Sequence, residues 1–134
     1  MKNILVILNH KLTPEQVQDL GKMYSDTTIK IHILPENLQK LWGNIPPDAS
    51  PEHILEIAER YLKYTIENYI NLAIVQGESG ITFALITLLH SYGYDCLHAC
   101  TKRVSKEVVN TGGTIEKKSI FQHVQFREYA NIDI

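Results

Sequence analysis

Several common functional motifs are absent from this sequence of 134 residues. It has no G-x-x-x-x-G-K-[ST] phosphate loop, and no G-x-G-x-x-G follows its first apolar run, so NTPase and dinucleotide-binding functions have little support. Its six histidines show no H-E-x-x-H or other dense ligand spacing. Ser79 lies in G-E-S-G, which is not the nucleophile elbow of a hydrolase. The sequence therefore predicts no metal site and no cofactor.

Cysteine is scarce, and neither sign of charge dominates. The two cysteines, Cys96 and Cys100, fall within an expected strand, where reduced and buried thiols are favoured over a disulfide or a metal site. A net charge of −2 argues against a protein that coats long nucleic acids, although a few basic residues converging on one pocket would suffice for a small anion. Because no apolar run could span a bilayer and no signal peptide is recognisable, we expect no membrane partner and a cytoplasmic location.

What is present is an alternation of strand and helix patterns within a single domain, residues 1–134. Two helix starts are well marked: Thr13 precedes Pro14 and a capping-box Gln16, and Ser50 precedes Pro51. Strands are predicted over Ile4–Leu8, Thr28–Leu34, Leu72–Gln76 and Asp95–Thr101. This order predicts an α/β fold, with a mostly parallel sheet flanked by helices and the strand order 2-1-3-4.

The pattern changes near residue 104, which divides the domain into an α/β core, residues 1–103, and a β-rich C-terminal extension, residues 104–134. Val104–Asn110 and Thr114–Lys118 flank Gly112 and Gly113 and predict a β-hairpin extension. Alternation over Ile120–Tyr129 predicts a further strand. On that strand, one face is expected to carry Phe121, His123, Gln125 and Arg127.

Polar residues follow three of the predicted strands where each ends. They are Asn9-His10, Gln76-Gly77-Glu78 and Thr101-Lys102-Arg103. Ligands of parallel sheets bind beyond the carboxyl ends of the strands at the topological switch point, so these residues are expected to line one crevice. The stretch L-A-I-V-Q-G-E-S-G-I-T, residues 72–82, would also present backbone N–H groups to an anion at a helix start. The alternative is that strands of soluble proteins simply end in polar residues.

Several of these segments together resemble one family, the small stand-alone CRISPR-associated proteins of the Csx type that are linked to type III systems. The segments are Asn9-His10-x-Leu12-Thr13-x-x-Gln16, Leu41-Trp42-x-Asn44-Ile45-Pro46-Pro47, Val75-Gln76-Gly77-Glu78-x-Gly80-x-Thr82, Thr101-x-Arg103 and Phe121-x-His123-Val124-x-Phe126-Arg127-x-Tyr129. They span almost the whole chain, and their combination is more specific than any one of them. The resemblance implies a Rossmann-like, CARF-like fold and a homodimer. It also implies a ring nuclease that cleaves cyclic oligoadenylate, most plausibly cyclic tetra-adenylate, and so ends a type III CRISPR signal.

Catalytic roles follow from the chemistry of metal-independent RNA cleavage, in which a ribose 2′-hydroxyl attacks its own phosphate. His10 is the first candidate for acid–base catalysis, because histidine is best suited to proton transfer near neutral pH. Arg103 is the candidate for charge stabilisation, together with Lys102, and Glu78 for orienting a ribose hydroxyl or acting as a base. The structural alternatives are a surface histidine that caps a loop, a solvated basic pair, and an acid favoured at a helix N-terminus.

Binding roles are assigned more broadly. Phosphate or ribose contacts are expected from Asn9, Gln76, Gly77, Ser79, Gly80, Thr82, Thr101 and Lys102. His123 and Arg127 are expected to reach the ligand from the same or the partner subunit, or else to pair with carboxylates on an exposed sheet face. Two other functions stay open: a non-catalytic sensor or sponge for the same ring, and a nucleotide-binding regulator unrelated to CRISPR.

Overall fold

A computed structural model describes residues 1–132 of the chain. Its elements, in chain order, are β1 (Lys2–Ile7), α1 (Pro14–Met23), β2 (Ile29–Ile33), α2 (Glu36–Trp42), α3 (Pro51–Glu67), β3 (Leu72–Val75), α4 (Ser79–Ser91), β4 (Asp95–Val109) and β5 (Ile115–Glu128). The predicted α/β class is confirmed.

The strands form one five-stranded sheet in the order β2-β1-β3-β4-β5. The first four strands pair in parallel, and β5 runs antiparallel to β4. The predicted order 2-1-3-4 is therefore confirmed. Ile7 is in register with Val75, so the carboxyl ends of β1 and β3 are neighbours at the switch point.

Helices cover both faces of this sheet. Leu20 of α1 packs on the face that carries Ile4 and Val6, which we call the α1 face. Helices α2, α3 and α4 cover the opposite face around Leu5 and Val75, which we call the α4 face. Because β1 and β3 bury side chains on both faces, β3 is apolar throughout and β1 is apolar from Ile4 onward, as expected for the centre of a parallel sheet.

Local chemistry sets the helix starts as predicted. Thr13 accepts a hydrogen bond from the backbone of Gln16, whose side chain accepts one from the backbone of Thr13 in return, which completes the capping box. Ser50 caps α3 through the backbone N–H of His53. Helix α4 is apolar nearly all round, yet it leaves Phe83 75% exposed.

The predicted end of the fourth strand is wrong. We predicted that it ends at Thr101-Lys102-Arg103, but β4 continues to Val109 and pairs with β5 along its whole length. The predicted hairpin is present, as the outer part of this longer two-stranded ladder. Residues 101–122, here called the arm, are almost entirely exposed and extend beyond the rest of the sheet.

A second correction concerns the faces of β5. The register shifts between Cys100, which pairs with Gln125, and Thr101, which pairs with His123, so Val124 forms a bulge. The bulge breaks the alternation. His123 packs against Phe126 on the α1 face, whereas Arg127 contacts His98 on the α4 face. His123 and Arg127 therefore do not share a face.

Candidate functional site

Helix α2 lies across the carboxyl ends of β1 and β3. The Gln39 side chain donates to the Leu8 carbonyl at 2.7 Å, and the indole Nε1 of Trp42 donates to the Gln76 carbonyl at 2.9 Å. Trp42 itself is only 1% exposed and packs edge-on against Tyr61. The residues of the expected crevice do not share one open space: some line a cavity beside α2 and others line a cavity along α4.

The first cavity, here called the β1 cleft, lies between α1, β2 and α2 and measures about 760 Å³. Its walls are apolar: Val6, Leu12, Val17, Ile31, Ile33 and Leu34. Its polar lining residues are Asn9, His10, Lys11, Glu36, Gln39 and Lys40. An apolar interior with a few polar groups is the usual composition of a small-molecule site. A planar base in the interior with its phosphate near the lysines would match this arrangement.

His10 is exposed in the β1 cleft, and one of its two ring nitrogens forms a hydrogen bond. Its Nδ1 lies 2.8 Å from the Lys11 carbonyl oxygen. Because a carbonyl can only accept, Nδ1 must carry the proton, and Nε2 of the neutral ring keeps its lone pair. Lys11 and Lys40 lie in the same cleft, although Lys40 also pairs with Glu36 at 3.0 Å. The cleft thus combines a possible base with positive charge.

The polar residues that follow β3 have internal contacts instead. The Oε1 atom of Gln76 accepts a hydrogen bond from the backbone N–H of Ala99 at 2.9 Å, which extends the pairing of β3 with β4 beyond the end of β3. Gly77 lies against the Trp42 indole, where a Cβ atom would come within 2.7 Å of Nε1. Both residues therefore shape the turn, and the side-chain oxygen of Gln76 is already bound within the chain.

Glu78 is the N-cap of α4. Its carboxylate accepts hydrogen bonds from the backbone N–H groups of Gly80 and Ile81. These are the donors that the turn was expected to offer to a phosphate, so the anion at this helix start is supplied by the chain itself. The structure thus favours the capping alternative for Glu78 over a catalytic role.

The second cavity, here called the α4 groove, measures about 960 Å³ and runs along α4. Gly77, Ser79 and Thr82 line one end of it, Phe83, Ile86 and His90 continue it, and Tyr129–Ile132 form the other side. The hydroxyl oxygen of Thr82 is buried without a hydrogen-bond partner in the described part of the chain. Ser79 and Thr82 therefore line a cavity different from that of His10.

Thr101, Lys102 and Arg103 do not line either cavity. They pair with His123, Gln122 and Phe121 at the base of the arm, and the Arg103 guanidinium lies 5.3 Å from the centre of the Phe121 ring. Their expected position at a strand end is wrong, because β4 does not end there.

His123 serves to attach β5 to α1. Its Nε2 lies 3.0 Å from a carboxylate oxygen of Asp19, and the same oxygen accepts the backbone N–H of Phe126 at 3.2 Å. The predicted alternative, a pairing with a carboxylate, is thus confirmed for His123. The face is not exposed, however, since α1 covers it.

A second histidine site was missed by the sequence reasoning. The Arg127 Nε donates to Nε2 of His98 at 3.3 Å, and the His98 ring packs 4.6 Å from that of Tyr129, whose hydroxyl donates to the Val75 carbonyl. Burial, and then the nearby Arg127 charge, lower the pKa of His98. Nothing local in the sequence distinguishes His98 from the other histidines, and the same holds for Lys11 and Lys40 as cleft residues.

Other chemistry receives no support from the described residues. Burial raises the pKa of the Cys96 thiol to about 12, so this thiol is not a reactive nucleophile. Within residues 1–132, no cluster of three or more histidine, cysteine and acidic side chains could hold a metal ion. No helix in that range is long and apolar enough to cross a membrane.

Comparison with known proteins places the chain in a family. The family model described as "Uncharacterized protein MJ1673 family" matches residues 2–127. The chain belongs to the MJ1673 family. The protein "Uncharacterized protein MJ1673" of Methanocaldococcus jannaschii is 30% identical over 132 residues, which cover 96% of this chain and 98% of that protein. No solved structure matches the chain. The region matched by the MJ1673 family model contains His10, His98, His123 and the whole arm.

Proposed function

We propose that this protein is a ring nuclease that binds cyclic tetra-adenylate and cleaves it without a metal ion. The proposal includes a Rossmann-like, CARF-like assignment of the fold, a homodimer and a cytoplasmic location. One observation carries it: the β1 cleft, at the carboxyl edge of the parallel sheet, combines an apolar interior with His10 and two lysines. The resemblance to the Csx-type proteins supplies the identity of the ligand.

In the proposed complex, an adenine base occupies the apolar part of the β1 cleft. The phosphate attached to it lies near Lys11 and Lys40, with Asn9 and His10 beside the ribose. A homodimer provides two copies of every site to a ring that is itself symmetric. The protomers together would therefore surround the tetra-anionic ring, with Ser79, Gly80, Thr82, Thr101, Lys102 and Arg103 as further contacts.

Cleavage follows the usual course of RNA transesterification. Nε2 of His10 removes the proton from a ribose 2′-hydroxyl, and the 2′-oxygen forms a bond to the adjacent phosphorus. The bond between phosphorus and the 5′-oxygen of the next nucleotide breaks, and that oxygen takes a proton from solvent. The products carry a 2′,3′-cyclic phosphate and a 5′-hydroxyl. Positive charge at the cleft stabilises the phosphorane-like transition state.

The test is incubation of the purified protein with cyclic tetra-adenylate in EDTA, followed by chromatography of the products. We expect linear products that end in a 2′,3′-cyclic phosphate. An intact ring after incubation with several equivalents of protein would contradict the nuclease function. Activity that disappears in EDTA would contradict only the metal-free mechanism.

The second candidate function is a non-catalytic sensor or sponge for the same ring. It is favoured by the scarcity of free acid–base groups: Glu78 caps α4 and His123 is bound to Asp19, so neither joins His10 in the β1 cleft as an acid–base partner. A rise in melting temperature with the ring, but no cleavage, would support this candidate. If no cyclic oligoadenylate raises the melting temperature, the function that remains is a nucleotide-binding regulator unrelated to CRISPR.

A further inference from the structure

The arm extends from the ligand-binding edge of the sheet. β3 pairs with β4 only as far as Leu97, whereas β4 continues in the same direction to Val109. At about 3.3 Å per residue, the segment from Cys100 to Val109 extends roughly 30 Å beyond the end of β3. The carboxyl ends of β1 and β3 point toward the same side. The arm and the β1 cleft therefore lie at the same edge of the sheet, with β3 between β1 and β4.

The arm differs in charge from the rest of the chain. It carries five basic and two acidic side chains, a net charge of +3, although the whole chain has −2. The basic residues are Lys102, Arg103, Lys106, Lys117 and Lys118. Within residues 1–132, none of them forms an ion pair with a carboxylate. The positive charge of the arm is consequently available to an external anion.

The cations are not distributed equally over the two faces of the arm. On the α1 face, Glu107 is directly opposite Lys117, and Arg103 lies over Phe121. On the α4 face, Lys106 is directly opposite Lys118, with Lys102 further toward the base and Glu116, opposite Val108, further toward the tip. The α4 face therefore carries three cations and one carboxylate, whereas the α1 face carries two cations and one carboxylate. Two like charges in direct opposition destabilise a strand pair. An anion that binds between the two lysines would remove this repulsion.

Apolar side chains separate the lysines on the α4 face. Val104 pairs with Ile120, and this pair lies between Lys102 and the Lys106–Lys118 pair. A cationic, an apolar and again a cationic contact suit a nucleotide chain, in which phosphates flank a base. We propose that the α4 face of the arm, through Lys102, Lys106 and Lys118, binds the phosphodiester backbone of the cyclic oligoadenylate. The inference rests on the proposed function for the identity of the ligand.

Lysines on an exposed edge have a simpler role in many proteins, since they prevent edge-to-edge aggregation of sheets. Neighbouring residues provide a matched test of the two roles. Lys117→Ser and Lys118→Ser remove the same charge from adjacent positions of β5 but act on opposite faces of the arm. Binding is measured by calorimetry with cyclic tetra-adenylate that carries 2′-fluoro groups, because this ring has no nucleophile and cannot be cleaved.

We expect Lys118→Ser to weaken binding about fivefold and to lower the slope of log K against log salt by about 0.7, the value for one phosphate contact of a single strand. Lys117→Ser should stay within about twofold of the unmodified protein. Binding of the ring with equal effects of the two variants would overturn the role of the arm and leave the proposed function intact. No binding of the ring to the unmodified protein would instead contradict the proposed function. If linear tetra-adenylate binds more tightly than the ring and depends on Lys118 in the same way, the ligand of the arm is linear RNA and not the ring.

Discussion

The carboxyl ends of β1 and β3 are neighbours in the sheet, yet the polar residues that follow them differ in how far their side chains are hydrogen-bonded within the chain. After β3, the side chain of Gln76 and the carboxylate of Glu78 are held by backbone N–H groups of the chain itself. After β1, His10 is exposed in a cleft and uses only one of its ring nitrogens. A polar strand end can therefore serve either the fold or a ligand, and the neighbouring elements decide which.

The difference between the two ends has a structural reason. β4 continues beyond β3, which leaves the backbone N–H of Ala99 without a strand partner, and Gln76 satisfies it. The start of α4 likewise leaves free N–H groups, and Glu78 satisfies two of them. Beyond β1, the Leu8 carbonyl is already bound by Gln39 of α2. The side chain of His10 donates to the Lys11 backbone carbonyl through Nδ1 alone, so Nε2 has no backbone group to satisfy.

The variant with the largest expected effect on stability is Gly77→Ala. The new Cβ would come within 2.7 Å of the Trp42 indole, which is enclosed in the core and cannot move away easily. We expect the free energy of unfolding to fall by about 2 kcal/mol, the usual cost of overpacking. Urea denaturation measures it.

Gly21→Ala is the matched control, because no atom lies within 4 Å of its new Cβ in α1. It should leave stability unchanged or raise it by up to about 1 kcal/mol. Equal losses in the two variants would mean that the contact with Trp42 does not restrict the β3 turn.

A smaller loss of stability is expected from Glu78→Ala. Removal of the cap should cost about 1 kcal/mol, whereas Glu59→Ala on the exposed face of α3 should change stability by less than about 0.5 kcal/mol. The rate of ring cleavage by Glu78→Ala should stay within a few fold of normal, because the carboxylate serves the helix. A hundredfold slower cleavage rate in a stable Glu78→Ala protein would show that Glu78 is catalytic and that the residues after β3 do not serve only the fold.

Much of the fold could be predicted because its signals are local. Thr13 with Gln16, and Ser50 with Pro51, begin helices through contacts within one turn, and the alternation of elements fixed the parallel order. The length of β4 could not be predicted in the same way. Lys102 and Arg103 look like a strand end, and only pairing with β5 keeps them in a strand.

The candidate site was harder to predict for the same reason. The bulge at Val124 places Arg127 on the face opposite His123. No residue type next to Val124 predicts such a bulge. The hydrogen bond from Trp42 to Gln76 likewise links residues far apart in the chain. Contacts of this kind decide which polar residues remain free, so the sequence located the region but not the individual roles.

The most direct test of the central claim compares His10→Ala with His53→Ala, an exposed histidine of α3 outside both cavities. Single-turnover cleavage of cyclic tetra-adenylate in EDTA should be about 10²–10⁴-fold slower for His10→Ala and unchanged for His53→Ala. The affinity of His10→Ala for the 2′-fluoro ring should stay within about threefold of normal. Equal losses of affinity and rate would make His10 a ligand contact, and an unchanged rate would contradict the assignment of the β1 cleft as the catalytic site.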